Sequence, residues 1–367
     1  MSHIPHIIQQ FQLYGDLQSA KSWGGGHIND TYLLLFNQAG IEVKYILQKL
    51  NQTVFTNPEA VTNNISLVCN HLANKWRLTG VKDTSRRYLG LIPTLDGHAA
   101  FIDEDQEYWR VFLYIEKSIA FDVVQKPEQA FQAARAFARF QLGLEGLCVE
   151  EVSDTIPNFH HLGKRFDSFK KALEVDIQNR KTGVQPEIDF VLVRESLSRR
   201  IQSAIELGEI PMRIVHNDTK LSNVLLDADT GEGLCVIDLD TLMPGTLLYD
   251  FGDMVRTFSS PVSEDEADVT KVQLQMDIIE ALCQGYLSEI KALLVPQERK
   301  MLLTGAFHMT FIMGIRFLTD YLQGDVYYKT KYPAHNLVRA RNQFALLKSL
   351  EEQQLAIQQI IDRCLQA

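Results

Sequence analysis

The segment HNDTKLSNVLLDADTGEGLCVIDLD, residues 216–240, constrains the fold of this chain more than any other stretch. Its two apolar runs, VLLD and LCVID, flank a turn rich in Asp, Thr and Gly, a pattern that predicts a β-hairpin. Asp218 and Asn223 stand just before the first run, and Asp238 closes the second. The fold must therefore hold a polar loop against one end of a short hairpin.

The chain changes character near residue 116. The first part contains β-rich runs around one helical stretch, which predicts a small antiparallel sheet. The rest shows mainly amphipathic helical patterns after a crossover at 113–120. We expect an α+β fold with a β-rich lobe over 1–116, a larger helical lobe over 117–367, and a cleft between them. The extended runs lie within 21–36 and at 43–48, 98–102, 109–115, 213–216, 224–227 and 234–238; the predicted helices are 58–76, 127–142, 162–179, 188–207, 265–290, 297–322 and 336–364.

Composition narrows the class of protein. Hydrophobic residues make up 46% of the chain, enough to bury a sizeable core, and 46 acidic residues outnumber 36 basic ones. The formal charge of −10 disfavours nucleic acid as the partner, because neutralising phosphates requires clusters of Lys and Arg. Five cysteines without a C-x-x-C pair disfavour a disulfide framework or a zinc site and favour a reducing compartment.

Two further patterns bear on location. The N-terminus shows neither a basic n-region nor an apolar h-region, so no secretory signal is predicted. The apolar stretch 305–322 contains His308, Arg316 and Asp320, and it is too short and too polar to predict a membrane span. We expect a soluble, cytoplasmic protein with no membrane or nucleic-acid partner. The oligomeric state is left open, and a monomer is one plausible state.

The polar loop before the hairpin suits phosphoryl transfer. This reaction needs a carboxylate that orients a hydroxyl and accepts its proton, oxygen ligands for magnesium, and cations that neutralise phosphate charge. Protein kinases place such groups in a loop of pattern H-R-D-x-x-x-x-N, with a metal-binding aspartate after the following hairpin. His216, Asp218 and Asn223 have the same spacing. We expect Asp218 to act as the base, Asn223 to bind magnesium and His216 to anchor the loop.

Further residues complete this hypothesis. Lys220 stands two residues after Asp218, where its ammonium can reach the transferred phosphate. Asp238 directly ends the hairpin, so it fits the metal-binding position better than Asp250, which begins a literal D-F-G. Asp240 points to the same side as Asp238 if the strand end stays extended, which makes it a candidate second ligand. Asp250 is expected to brace the loop from the start of a helix.

These motifs resemble those of the aminoglycoside phosphotransferase and choline kinase superfamily. Within it, several strings in both lobes are similar to those of the N-acetylhexosamine 1-kinases. The strings are GGGHINDTY at 24–32, LQKLNQTVF at 47–55, HNDTKLSNVL at 216–225, VIDLDTLMPGTLLYDFGD at 236–253 and RFLTDYLQGDVYY at 316–328. The resemblance implies a bilobal, protein-kinase-like fold. It also implies a sugar kinase of carbohydrate metabolism that uses ATP and Mg²⁺ to phosphorylate the anomeric C1 hydroxyl of GlcNAc or GalNAc, giving the α-1-phosphate and ADP.

Nucleotide binding is expected from the first lobe. Gly24, Gly25 and Gly26 precede a β-run and suit a phosphate loop, although a flexible turn has the same composition. The run YILQ ends in Gln48, where protein kinases have their phosphate-anchoring lysine. Either Gln48 replaces that lysine, which we favour by position, or a bulge turns Lys49 into the cleft.

The backbone of Tyr114 and Ile115 is expected to form a hinge that recognises adenine, the alternative being an ordinary connection between lobes. Acceptor recognition is expected from Thr241, Arg316 and Asp320, together with the base. Arg316 and Asp320 are four residues apart in a helical pattern, so an intrahelical ion pair is the alternative. Two other functions stay open: a kinase of an amino alcohol or aminoglycoside, and a catalytically inactive ATP-binding regulator.

Overall fold

The computed structural model describes residues 4–24 and 28–367. Gly25 and Gly26, two of the three glycines predicted to bind phosphate, lie outside these ranges. The strands are β1 Asp16–Ser22, β2 Asp30–Gln38, β3 Ile41–Lys49, β4 Leu91–Ile92, β5 Phe101–Ile102, β6 Tyr108–Leu113, β7 Ser118–Ile119, β8 Arg213–Val215, β9 Val224–Asp227, β10 Gly233–Val236 and β11 Met243–Gly245. The helices are α1 Ile4–Ile8, α2 Pro58–Leu78, α3 Pro127–Gly143, α4 Leu162–Val175, α5 Gln185–Leu192, α6 Arg200–Glu206, α7 Leu247–Phe258, α8 Met276–Ile290, α9 Pro296–Gln323, α10 His335–Glu352 and α11 Gln354–Gln366.

The first six strands form one antiparallel sheet in the order β1-β2-β3-β6-β4, and β5 also pairs with β6. Side chains alternate between the two faces of each strand. Leu47 and Val111 point to one face, where they form an apolar cluster with Leu34 and with α1. The opposite face carries Ile46 and Phe112, which contact the main helical core. The sheet therefore has one face against α1 and the other towards the helical part of the chain.

Helix α2 begins as the sequence predicts, at Pro58, with the side chain of Asn57 accepting from the backbone of Ala60. Its apolar stripe, which includes Ile65 and Leu72, belongs to the main helical core. The buried amide of Asn64 donates to the carbonyls of Ser153 and Leu242 and accepts from the backbone of Ser153. Helix α2 is therefore bound by apolar packing and by hydrogen bonds to the part of the chain that follows the sheet.

Glycines allow two core helices to approach each other closely. A Cβ atom on Gly252 of α7 would collide with the backbone of Gly305 on α9, and one on Gly305 would collide with the carbonyl of Leu248. The tight crossing holds the start of α7, which carries Asp250, firmly against the core. The glycine of the literal D-F-G thus serves helix packing.

Several boundaries differ from those predicted. Helix 265–290 begins only at Met276, because Asp265 and Glu266 bind lysine and arginine side chains in a loop. The stretches 188–207 and 336–364 each break into shorter helices. Strand β1 was not predicted, because DLQSAKS is a polar edge strand without a clear apolar alternation. The predicted α+β architecture, with an antiparallel sheet first and helices after it, is confirmed.

Helix α9 is long and apolar enough to cross a membrane by length and composition alone. In the folded chain, however, 78% of its most apolar window is buried against other elements. Burial of this kind is typical of the central helix of a protein core.

Replacing Gly305 with Ala tests the close crossing of α7 and α9. Because the added methyl has no room against the Leu248 carbonyl, Gly305→Ala should lower the free energy of unfolding by about 1–3 kcal/mol. Urea denaturation measures this change. Gly183→Ala is the matched control, since a Cβ there meets nothing within 4 Å, and it should shift stability by less than about 0.5 kcal/mol. Equal stability of the two variants would contradict the packing argument.

Candidate active site

The polar loop leaves β8 and is held in place by Asp250. Strand β8 pairs with β11, so the chain enters and leaves the loop region side by side. The fully buried carboxylate of Asp250 accepts from the backbone of His216 at 3.0 Å, the backbone of Asn217 at 2.8 Å and the side chain of Gln141 at 2.7 Å. Two charge-assisted hydrogen bonds thus fix the first residues of the loop, and the third ties Asp250 to α3.

His216 connects this loop to the end of the hairpin. Its Nδ1 accepts from the backbone N–H of Asp218 at 3.2 Å, so Nε2 carries the hydrogen and donates to the carbonyl of Ile237 at 2.9 Å. The imidazole is buried and packs edge-on against Phe137 and Phe140. His216 thereby holds the backbone of Asp218 next to the segment that leads into Asp238.

Asp218 lies in the centre of a small charged cluster. Its Oδ2 is 2.8 Å from Nζ of Lys220 and accepts from Nδ2 of Asn223 at 2.9 Å. Burial alone would raise the pKa of Asp218, but the Lys220 ammonium outweighs burial and lowers the pKa to about 2. The Asp218 charge in turn raises the pKa of Lys220. The side chain predicted as the base is therefore ionised at neutral pH.

Asp238 stands on the other side of Lys220, with its Oδ2 4.0 Å from Nζ. Its backbone is left-handed, with φ of 59°, so the chain turns sharply where the hairpin ends. Removal from water and the Asp240 charge raise the pKa of Asp238 to about 6, even though 43% of its side-chain surface stays accessible. Lys220 therefore lies between an ionised carboxylate and one that titrates closer to neutrality.

The oxygen atoms around Lys220 fit a magnesium ion that is completed by phosphates. Asn223 uses its amide nitrogen on Asp218, which leaves its carbonyl oxygen as the ligand atom. Among the described residues there is no group of three or more His, Cys, Asp or Glu side chains that could hold a metal alone. Magnesium commonly takes one or two protein ligands and fills the remaining positions with phosphate and water. Asn223 and Asp238 suit this arrangement.

The chain does not stay extended from Asp238 to Asp240. The prediction that the two side chains point to the same side of a strand end rested on that extended geometry, which is wrong. Residues 239–241 form a tight helical turn, which rotates Asp240 towards the N-terminal sheet. There its Oδ1 lies 2.6 Å from Nη2 of Arg110, and its Oδ2 accepts from Asn29 at 2.6 Å. Oδ2 is thus hydrogen-bonded, whereas Oδ1 lies at ion-pair distance from Arg110 without forming a hydrogen bond among the described residues. The role of Asp240 as a metal ligand remains a prediction.

The register of β3 places Gln48 on the cleft side of the sheet. Gln48 pairs with Arg110 across β3 and β6, and its Oε1 accepts from Nε and Nη2 of Arg110 at 3.0 and 2.7 Å. Lys49 lies on the opposite face, 3.6 Å from Asp30 and 3.4 Å from Glu107. The pairing of residues 45–49 is continuous, so no bulge turns Lys49 inward.

The hinge segment uses part of its backbone within the protein. The N–H of Tyr114 donates to the carbonyl of Lys44, and the carbonyl of Ile115 accepts from Ser118. The Tyr114 ring contacts Trp23 edge-on at 6.2 Å between centroids, next to Gly24 with its positive φ of 76°. The Ile115 side chain packs on Leu234 and Cys235 of β10. Tyr114 thus contacts Trp23, the residue before Gly24, and Ile115 contacts the hairpin.

Two predicted acceptor residues are engaged in the protein itself. Thr241 donates its hydroxyl to the carbonyl of His216 at 2.7 Å, so it braces the polar loop. The Asp320 carboxylate accepts from the backbone of three successive residues, 326–328, and from Asn336. Arg316 and Asp320, which are both described, do not form an ion pair with each other. The alternative of an ion pair within the helix is therefore excluded. Asp320 shapes the loop that presents Tyr327 and Tyr328.

Arg316 lies in an aromatic cluster together with a second arginine. Its guanidinium is 5.0 Å from the Phe159 ring, 5.8 Å from Tyr327 and 5.5 Å from Tyr328. Arg165 donates to the carbonyl of Phe159 at 3.3 Å, so both guanidiniums contact the same residue. Burial, followed by the charge of Arg316, lowers the pKa of Arg165. Within the described part of the chain neither forms an ion pair with a carboxylate.

The aromatic cluster is tied directly to the polar loop by a residue that sequence reasoning missed. His160, next to Phe159, places Nε2 2.9 Å from the carbonyl of Asn217. Its own carbonyl meets Nε2 of His308 on α9 at 2.9 Å. His160 contacts Asn217 across 57 residues of sequence, so no local motif could reveal this contact. Arg110 likewise reaches Asp240 from a distant strand. Tyr327 and Tyr328 lie within the sequence RFLTDYLQGDVYY at 316–328, one of those that resemble the N-acetylhexosamine 1-kinases.

Solved phosphotransferases share this fold. The similar structures include an aminoglycoside phosphotransferase from Alicyclobacillus acidocaldarius subsp. acidocaldarius DSM 446, with 12% identity, 95% of each chain covered and a TM-score of 0.57. A spectinomycin phosphotransferase in complex with ADP and spectinomycin has 13% identity, covering 96% of this chain and 98% of that one, with a TM-score of 0.54. Choline kinase from Cryptosporidium parvum Iowa II has 12% identity, covering 95% and 93%, with a TM-score of 0.52.

These similarities confirm the bilobal, protein-kinase-like fold. The chain matches the phosphotransferase enzyme family, APH, over residues 19–286, and it therefore belongs to that family. The matched range includes the sheet, the polar loop and the hairpin that ends at Asp238.

The raised pKa of Asp238 leads to a pH-dependent stability. An aspartate titrates near pH 3.9 in the unfolded chain, and Asp238 titrates at about 6 in the folded chain. Its ionisation therefore destabilises the fold as the pH rises through this interval. The stability of Asp238→Asn minus that of the parent chain should therefore increase as the pH rises from 4.5 to 7.5. Thermal unfolding without ligands measures this difference. Asp229→Asn, in the exposed hairpin turn, is the control. A difference that does not change with pH for Asp238→Asn would contradict the assignment.

Proposed function

We propose that this chain transfers the terminal phosphoryl group of ATP to the anomeric C1 hydroxyl of N-acetylhexosamines, GlcNAc or GalNAc, to give the α-1-phosphate and ADP. The observation that carries the proposal is a cluster of four side chains. Asp218, Lys220 and Asn223 lie on the loop that Asp250 anchors, and Asp238 lies at the end of the hairpin, 4.0 Å from Lys220. Membership of the phosphotransferase family supports the reaction class. The nucleotide would lie between the two predicted lobes, 1–116 and 117–367.

Asp218 orients the acceptor hydroxyl and takes its proton. In the free protein the ammonium of Lys220 is 2.8 Å away and keeps the carboxylate a weak base. When Lys220 turns to a phosphate, that ammonium no longer stabilises the ionised carboxylate, and the pKa of Asp218 rises. Proton uptake is thus coupled to the arrival of the phosphate that Lys220 neutralises. An anomeric hydroxyl is more acidic than an ordinary alcohol, so one positioned carboxylate suffices.

Asn223 and Asp238 would hold Mg²⁺, which when bound neutralises charge on the transferred phosphate. His216 and Thr241 position these groups through the loop backbone. Their task is geometric, since phosphoryl transfer depends mainly on alignment and charge stabilisation.

The two unpaired arginines support a neutral acceptor over a cationic one. Choline and aminoglycosides are positively charged, and a site beside Arg165 and Arg316 would repel them. A guanidinium without a carboxylate partner can donate to ring hydroxyls or to an acetamide carbonyl. The rings of Phe159, Tyr327 and Tyr328 add apolar surface of the kind on which a sugar packs. These features favour an N-acetylated sugar over the amino-alcohol alternative.

The substrate is tested by measuring ADP release from ATP and Mg²⁺ over a panel of acceptors. Turnover is expected with GlcNAc or GalNAc and not with choline, ethanolamine or spectinomycin. Turnover with a cationic acceptor alone would overturn the substrate proposal. Nucleotide binding without turnover on any acceptor would instead indicate an inactive regulator.

Asp218→Asn tests the base within the same assay. The substitution keeps the shape of the side chain and its contact with Asn223 but removes the proton acceptor, so kcat should fall by about 10²–10⁴-fold. Asp229→Asn, on the exposed hairpin turn, should leave kcat unchanged. Activity of Asp218→Asn near that of the parent chain would exclude the assignment.

Arg316→Met tests acceptor recognition. Loss of a charge-assisted hydrogen bond should lower kcat/KM for the N-acetylhexosamine by about 10- to 100-fold, while the affinity for ADP stays the same. The control is Arg341→Met, which removes a surface arginine paired with Glu187. An unchanged kcat/KM in Arg316→Met would contradict a role in binding the acceptor.

A further inference from the structure

We propose that Arg110, on β6, binds the nucleotide phosphates in the place where protein kinases use a lysine from the third strand, with Asp240 as its carboxylate partner. The inference rests on the proposed function, since it concerns the nucleotide of that site. It replaces the predicted role of Asp240 as a second metal ligand.

The cation expected on β3 is missing, and Arg110 fills its position. Gln48 occupies the place of the kinase lysine and is neutral, while Lys49 points to the other face of the sheet. Arg110 is directly opposite Gln48 in register, and Gln48 orients its guanidinium through two hydrogen bonds. The positive charge is thus supplied by the neighbouring strand at the same level of the cleft.

The carboxylate that pairs with this cation also comes from a different element than in protein kinases. Protein kinases pair the strand lysine with a glutamate of the helix that follows. The corresponding helix here, α2, contains one acidic residue, Glu59, which is exposed in its first turn. The buried face of α2 consists of apolar residues with Thr62, Asn64 and Cys69, and it contains no acidic residue, so it offers no carboxylate. Asp240 lies 2.6 Å from Arg110 instead, two residues after Asp238.

Arg110 also retains a free donor. It is only 2% exposed, yet Nη1 has no hydrogen-bond partner among the described residues. A buried guanidinium N–H without an acceptor is costly unless a ligand provides one. Phosphate oxygens are acceptors that match the planar fork of arginine. The free donor and the adjacent loop of Asp238 point to the same ligand, a nucleoside diphosphate or triphosphate.

The test compares ADP with adenosine, which lacks phosphates, by titration calorimetry in EDTA. Arg110→Met should raise the Kd of ADP by about 10- to 100-fold and leave the Kd of adenosine unchanged. Lys49→Met, on the opposite face of the same strand pair, should change neither. The double variant Arg110→Met/Gln48→Lys restores a cation on the cleft face and should recover most of the lost ADP affinity.

Arg110→Met leaves the buried Asp240 carboxylate with Asn29 but without its cationic partner, and it can impair folding. The variant Arg110→Met/Asp240→Asn removes both charges and should fold while still binding ADP weakly. Equal weakening of ADP and adenosine, or unchanged ADP affinity in both variants, would overturn the inference and leave the pair with a structural role. Absence of ADP binding in the parent chain would overturn the proposed function itself.

Discussion

The polar loop depends on one buried carboxylate. Asp250 has no contact with water, and it provides the acceptors for two consecutive backbone N–H groups at the start of the loop. Its own carbonyl accepts from Thr219, so both its side chain and its backbone bind the loop. Because Gly252 and Gly305 lock α7 against α9, this carboxylate has a fixed position. The position of Asp218 therefore depends on the packing of α7 against α9, which fixes Asp250, and on the hydrogen bonds from the loop to Asp250.

Two groups of opposite charges meet at the hairpin end. One is open to the cleft and joins Asp218, Lys220 and Asp238; the other is buried and joins Arg110 and Asp240. Lys220 and Arg110 are each balanced by carboxylates, so neither of these two cations is uncompensated. A phosphate that enters the site must compete with these carboxylates to bind Lys220 or Arg110. The site is thus organised before any ligand arrives.

The sequence was informative where function depends on local spacing. Asp218, Asn223, Asp238 and the bracing Asp250 all lie within one stretch of chain, and the structure brings them together. Contacts across the fold were not predictable, because Arg110 reaches Asp240 over a sequence distance that no periodicity reports. One local assumption was wrong: the backbone bends at Asp238, where an extended strand was assumed. Asp320 binds the backbone of residues 326–328, and its contact with the acceptor stays a prediction.

The attachment of α2 has a consequence for how the chain can be divided. By position this helix belongs to the first 116 residues, yet its apolar stripe and Asn64 are bound to elements that come later. A fragment that ended near Glu116 would expose that stripe to water. The remaining fragment would lose the apolar contacts that α2 makes with its core. The two parts of the sequence, 1–116 and 117–367, therefore share one hydrophobic core. Removing either part would leave the other without a complete hydrophobic interior.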